Sequence, residues 1–429
     1  MIRIAHTSSS FEREPLRAPF GFKGRAVSEL WQVAARMDDA AGHRGLGLGT
    51  QSVLWSDSAV FERHGEHGGN ALMFELTTQA LHECEGETFA TPPALLDRLF
   101  PAALARARTL LGPDEPRPTF VLNALVAVDN AAWQLYAANQ GTQALDALLP
   151  ADCRAALGER HASVGNIPLV SFGTTVEEAV EAVRQGHCVL KIKIGSDPGR
   201  NGDQEQMLQW DCNRITELHA ALRDFATAET SHGGIAYYLD ANGRYDSLAR
   251  VERLLEHCAR LGALDRIILL EEPFPENSEQ DVSALPVRVA ADESAHSVED
   301  VIRRIDAGYR AIALKPIAKT LSLSLRMAAA AHQRGVPCFC ADLTVNPILV
   351  DWNKNVAARL APLPGLQSAV FESNGAQNYR DWQRLKSYHP LPAASWIKPV
   401  RGRFSLDDSF YQASGGIFLP SAHYRSLVP

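Results

Sequence analysis

From about residue 168 the chain alternates short apolar runs, each ending in a polar or charged residue, with longer amphipathic runs. Few architectures accommodate that rhythm. The short runs are IPLVSF, CVLKIKIG, IAYYLDAN, RIILLEEP, VRVAADES, RAIALKP, VPCFCADL and SAVFESN. Eight of them, interleaved with helical stretches, predict a parallel sheet closed into a barrel. Helix cues agree. Thr174 or Thr175 is placed to cap the run VEEAVEAV, and Ser297 caps a run whose first turn holds Glu299 and Asp300. An Ala- and Leu-rich run from residue 321 ends at Gly335, where a helix C-cap belongs.

The rest of the chain reads differently. Residues before about 160 hold helical stretches at 71–83 and 93–111 and a Gly- and His-rich stretch at 65–69, and are expected to form a separate α+β domain. After residue 374 the sequence turns rich in Trp, Tyr and Pro, with no barrel rhythm, and is expected to return to the first domain. The expected division is 1–160, 161–374 and 375–429, consistent with a chain of 429 residues holding more than one domain.

Composition narrows the function classes. A net charge of −8 argues against broad nucleic-acid binding, which needs a basic face, but leaves room for a small anionic substrate. The 7 cysteines are scattered and odd in number, which fits free thiols in a reducing cytoplasm rather than a disulfide framework. Cys338 and Cys340 are expected as apolar barrel-interior residues. The N-terminus lacks the basic-then-apolar pattern of a signal peptide, and no apolar run is long enough to cross a bilayer.

In closed parallel barrels, chemistry collects at the C-terminal strand ends. Here those ends carry Lys191 and Lys193, then Asp240, Glu271, Asp292, Lys315, Asp342 and Glu372. Charged groups closing apolar strands are costly to bury unless paired or bound to metal. Side chains two apart share a strand face, so Lys191 and Lys193 point inward together, as do Asp240 and Asn242. Three carboxylates on consecutive strands call for a cation, and hard oxygen donors suit Mg²⁺ or Mn²⁺ better than zinc. Such a cation can neutralise the charge that develops when a proton is removed beside a carboxylate. A lysine base needs a lowered pKa, which a neighbouring lysine and the metal would supply. Lys315, one strand beyond the acids, is expected opposite Lys193, and bases on two faces permit racemisation or epimerisation. Singly, KxK reads as a solvated edge, EEP as a common turn and DES as a helix cap. In this order, at successive strand ends, they read as one site.

These segments resemble the enolase superfamily, and within it the muconate-lactonising and dipeptide-epimerase branch. The matching segments are LKIKIG, YLDANG, LLEEP, AADES with Asp292 and Glu293, and IALKP. The resemblance implies a modified (β/α)7β TIM-type barrel with an N-terminal α+β capping domain. It implies Mg²⁺ on Asp240, Glu271 and Asp292, with Lys193 and Lys315 as the acid–base pair and Lys191 assisting carboxylate or enolate binding. It implies two substrate-selecting loops from the capping domain, at residues 19–23 (with Phe20 and Phe22) and 45–51. A small-molecule carboxylate substrate and a homo-oligomer are further expectations.

Three departures stand out. The seventh run ends in Cys340-Ala341-Asp342, which disfavours the mandelate-racemase branch. The eighth reads Phe371-Glu372-Ser373-Asn374, where dipeptide epimerases carry Asp-x-Asp. Lys319-Thr320-Leu321 replaces the usual Gly-Gly after the sixth. Asn242, Glu293, Asp342 and Glu372 are candidate substrate-facing groups. A racemase or epimerase of an amino-acid derivative, a lyase (cycloisomerase or acid dehydratase) and a non-catalytic metal binder all stay open on the sequence.

Overall fold

A computed structural model describes residues 1–22, 24–112 and 115–428. Lys23, in the first expected loop, lies outside the described residues. Strands β1 (Ile2–Phe22), β2 (Arg25–Asp39), β3 (Arg44–Gln51) and β4 (Thr88–Phe89) form an antiparallel sheet in the order β3-β2-β1-β4. Helices Ser58–Cys84, Pro92–Leu111 and Pro118–Gln140 pack with it. The Gly- and His-rich stretch is helical. It lies inside the first of these helices, kinked at Gly65 where φ is 70°.

The barrel strands are β5 (Ser163–Ile167), β6 (Leu169–Val170), β7 (Val189–Lys193), β8 (Ala236–Asp240), β9 (Ile267–Glu271), β10 (Val289–Ala291), β11 (Ala311–Leu314), β12 (Cys338–Cys340) and β13 (Val370–Glu372). Strands β5 and β6 are one run broken at Pro168. The β5 half pairs with β13 and the β6 half with β7, which closes the parallel sheet on itself. Pro168 has no N–H to give, but its carbonyl accepts from Lys191 N at 3.1 Å, so the ladder continues. The first strand therefore begins at Ser163, earlier than its apolar run suggests.

Two expectations need correcting. Among the described residues, no helix lies between β9 and β10. That segment holds Pro273, Pro275 and Pro286, which remove donors and disfavour the helical conformation for the residues before them. Cys338 and Cys340 do not face the barrel interior. They join the outer layer, while Phe339 between them joins the interior cluster and packs edge-on against Tyr238 at 5.4 Å.

The tail touches both units. Its strand β14 (Arg403–Ser405) adds antiparallel to β5. Arg384 and His423 pair with Glu14 and Glu12 of β1 at 2.6 and 2.9 Å. No helix among the described residues is long and apolar enough to cross a membrane.

Candidate active site

Register sets the site. Lys193 lies beside Asp240, and Asp240 beside Glu271, so three neighbouring strands deliver charge at one level. The side chains of Asp240, Glu271 and Asp292 are fully buried, and Lys191 and Lys315 nearly so. Four non-glycine residues just beyond strand ends have positive φ: Asn242, Glu272, Thr320 and Thr344. Strain of this kind gathers where side chains must be aimed.

The ammonium of Lys191 is a hub, 2.9 Å from Asp240, 3.2 Å from Glu271 and 3.0 Å from Glu372. Lys193 donates to Asp240 Oδ2 at 2.6 Å and to Asn242 Oδ1. Across the acids, Lys315 pairs with Asp292 and stands 3.9 Å from Glu293. Glu272, next to Glu271, turns away and accepts from Asp292 N at 2.7 Å and Ser294 Oγ at 3.0 Å, fixing the turn that carries Asp292.

Lys191 and Lys315 are both raised. Burial alone would lower both, but Asp240, Glu271 and Glu372 outweigh it at Lys191, and Asp292 and Glu293 outweigh it at Lys315. At both lysines the surrounding carboxylates dominate. Burial would raise Asp240, yet Lys191 and Lys193 bring it down to about 2. Asp292, equally buried, is held far below the usual range by Lys315 and Lys319. Glu271 goes the other way, pushed well up by burial and by Asp292 despite Lys191.

Lys191, Lys193, Asp240, Asn242, Glu293, Lys315, Asp342 and Glu372 line a cavity of about 50 Å³. Its lid comes from the N-terminal sheet. Phe20 and Phe22 from the end of β1 line it, and the Lys193 ammonium sits 5.9 Å from the Phe22 ring centre. Residues 45–51 are not the second loop. They form β3, whose alternate glycines let helix Pro118–Gln140 approach: a Cβ at Gly47 would lie 1.9 Å from Ala127 O. The lid's second piece is the next segment, where Ser52, Leu54 and Trp55 line the cavity. Trp55 Nε1 donates to Glu293 Oε1 at 3.3 Å, and its ring faces the Lys315 ammonium at 4.6 Å. Trp55 was not legible as a site residue; its only signal is an aromatic just past the glycine run.

Asp342 and Glu372 are brought together at the far wall. Glu372 Oε2 accepts from Asp342 N at 3.0 Å and Oε1 from Asn374 Nδ2 at 3.1 Å. Burial, with Glu372 adding to it, pushes Asp342 up to about 7.

The donor set fits a hard divalent cation. Carboxylate oxygens of Glu271, Asp292 and Glu293 lie within 4.8 Å of one another, all buried. Asp240 stands on the adjoining strand, its carboxylate turned to the two lysines. Three clustered buried carboxylates, one pushed strongly toward its neutral form, are the arrangement a cation relieves.

Residues 174–373 match the family model described as enolase C-terminal domain-like. No curated protein matches the chain. Among solved structures it is similar to the dipeptide epimerase from Enterococcus faecalis V583 complexed with Mg and L-Leu-L-Tyr, at 16% identity over 87% of this chain and 91% of that one, TM-score 0.61. It is similar to 2-chloromuconate cycloisomerase from Rhodococcus opacus 1CP at 18% identity, over 95% and 94%, TM-score 0.62. It is also similar to L-talarate dehydratase from Polaromonas sp. JS666 complexed with Mg and L-glucarate, at 17% identity over 95% and 93%, TM-score 0.62. At these identities the likeness describes the fold.

Proposed function

The chain belongs, through its barrel domain, to the enolase superfamily, and from that premise we propose that it removes a proton α to a carboxylate, as a racemase or epimerase of an amino-acid derivative. One observation carries the reading. Lys193 and Lys315 line the same cavity from strands on either side of the acid cluster, each under its own aromatic lid, Phe22 and Trp55. A base on each side can remove a proton from one face and return it to the other.

Mg²⁺, or Mn²⁺ in its place, would be held by Asp240, Glu271 and Asp292 with Glu293 close by; when bound it supplies the positive charge that an enolate's two oxygens need. The chain's own residues do the rest. Lys191 stands over the acids to meet the substrate carboxylate, Phe20, Phe22 and Trp55 exclude water, and Lys193 and Lys315 hold or take the moving proton. Lys193 pairs with Asp240 and Lys315 with Asp292, so each base stands beside an acid that a bound cation would share.

A lyase is the second reading, and Glu372 favours it. Its oxygens are engaged by Lys191, Asp342 N and Asn374, leaving it ill placed to hold a substrate ammonium. A cycloisomerase or acid dehydratase needs the same enolate and only one base. Incubation in D₂O with Mg²⁺ and a pool of acyl-amino acids, dipeptides and sugar acids separates them. Deuterium gain with inversion supports the epimerase, and a new double bond or ring supports the lyase. Exchange with no member of the pool, with either metal, counts against both. Neighbours of this fold are complexed with dipeptides and with glucarate, so the pool spans both kinds of acid.

A further inference from the structure

We propose that Lys319 is a positioning residue that aims Asp292 at the divalent cation. The inference rests on the metal site of the proposed function. Lys319 lies in a tight turn after β11, where its N–H donates to Lys315 O at 2.7 Å, and Thr320 at φ 72° then starts helix Leu321–Gln333. That turn puts the lysine side chain under the site, where it has no exposed surface.

All three of its donors are used. The ammonium reaches Asp292 O at 2.6 Å, Asp292 Oδ1 at 3.0 Å and Ala295 O at 3.0 Å. A buried ammonium has three N–H groups to satisfy, and these contacts satisfy them. Two are to backbone carbonyls at the ends of the 292–295 turn, which is itself closed by Ala295 N to Asp292 O at 3.0 Å. Glu272 grips the same turn through Asp292 N and Ser294. Lys319 thus fixes the backbone under Asp292 and occupies Oδ1, which leaves Oδ2 turned toward Lys315 and the acid cluster.

Two physical effects oppose each other here, which makes the proposal decidable. If Lys319 acts only as a charge, removing it takes a positive group from beside a cation site and metal binding tightens. If it positions Asp292, removing it weakens binding although the local charge has become more favourable. Groups that orient metal ligands affect affinity by roughly 10–100-fold.

The test uses the full chain and Mn²⁺ alone as probe, with free Mn²⁺ read by electron paramagnetic resonance and folding by circular dichroism. Lys319→Met is compared with Lys319→Gln and with Lys354→Met. Lys354 is another fully buried lysine, bonded to Trp396 O at 2.7 Å where the tail meets the barrel. The expected result is a folded Lys319→Met protein with Mn²⁺ Kd raised at least about tenfold. Lys319→Gln, which keeps an N–H for the carbonyls, falls between it and wild type. Lys354→Met melts at lower temperature with its Kd unchanged. Unchanged or tighter binding in both Lys319 variants overturns the proposal. So does failure of both to fold while Lys354→Met folds, which makes Lys319 a stability residue. Wild type that binds no Mn²⁺ overturns the metal site itself, a failure distinct from variants that bind as wild type does.

Discussion

Lys191 on β7 and Glu372 on β13 meet across the barrel mouth with Nζ and Oε2 3.0 Å apart. The eighth barrel strand therefore serves the second, and Glu372 is a partner of the lysine that stands over the acids. Glu372→Gln should leave Lys191 leaning further on Asp240 and Glu271. Turnover in an α-proton exchange assay is expected to fall by roughly 10–100-fold, the usual cost of losing an orienting partner. Mg²⁺ affinity, measured by calorimetry, should change less than about threefold, because Glu372 touches no proposed metal ligand. Equal losses in both would place Glu372 in the metal site.

The acid cluster makes a separate prediction. Anything that binds only the folded state stabilises it, so Mg²⁺ should raise the melting temperature of the wild-type chain. Glu271→Gln and Asp292→Asn should each abolish that rise. Without metal, Glu271→Gln should melt at or above wild type, since its carboxyl is pushed toward the neutral form. Asp292→Asn should melt lower, since it strands Lys315 and Lys319 in a buried site. Differential scanning calorimetry with and without metal checks both statements.

Packing in the N-terminal domain depends on Gly47. A Cβ there would lie 1.9 Å from Ala127 O and 2.2 Å from Ala131 N, both backbone atoms of a buried helix. Neither can move without shifting the helix, so Gly47→Ala should destabilise by at least about 2 kcal/mol. Chemical denaturation measures it, and a loss under about 0.5 kcal/mol, the range of ordinary surface substitutions, would contradict this packing.

Asp129, on helix Pro118–Gln140, accepts from Ser322 N at 3.0 Å and Ser322 Oγ at 2.5 Å across the boundary with the barrel. Burial pushes its carboxyl up from 3.8 to about 6 despite those hydrogen bonds. The folded state then binds this proton more tightly than the unfolded state does. Its contribution to stability is complete below about pH 4 and is lost as pH rises through about 6. The loss amounts to at most roughly 3 kcal/mol at 1.36 kcal/mol per unit. Urea melts of wild type and Asp129→Asn should therefore diverge between about pH 4 and about pH 6, with wild type losing ground as pH rises. Parallel curves would contradict it.

Much of the barrel was legible because its signal is local. Period-two alternation and the charged residues at strand ends put Lys191, Lys193, Asp240, Glu271, Asp292 and Lys315 at one end of the barrel without any long-range knowledge. What was not legible depends on contacts distant in sequence. Trp55 meets Glu293 across 238 residues. Glycine is ambiguous in the same way: Gly45, Gly47 and Gly49 suit a mobile loop or a close approach equally, and only the helix packed on them decides. The β1–β2 hairpin was missed because the polar run Thr7-Ser8-Ser9-Ser10 hides its alternation. The carboxylates that surround Lys191 arrive from three other strands, so its raised basicity shows only in space. Lys319 stood out as a departure after the sixth barrel strand, but its grip on the Asp292 turn appears only in space.

The most direct measurement is deuterium exchange from D₂O into the α-carbon of each stereoisomer of an accepted carboxylate, for wild type, Lys193→Ala and Lys315→Ala, all with Mg²⁺. The two-base arrangement predicts that wild type exchanges both isomers. Each variant should lose exchange of one isomer by about 10²–10⁴-fold, and the two variants should lose opposite isomers. Full exchange of both isomers in Lys193→Ala would contradict the assignment of that lysine and the proton-abstraction site built around it.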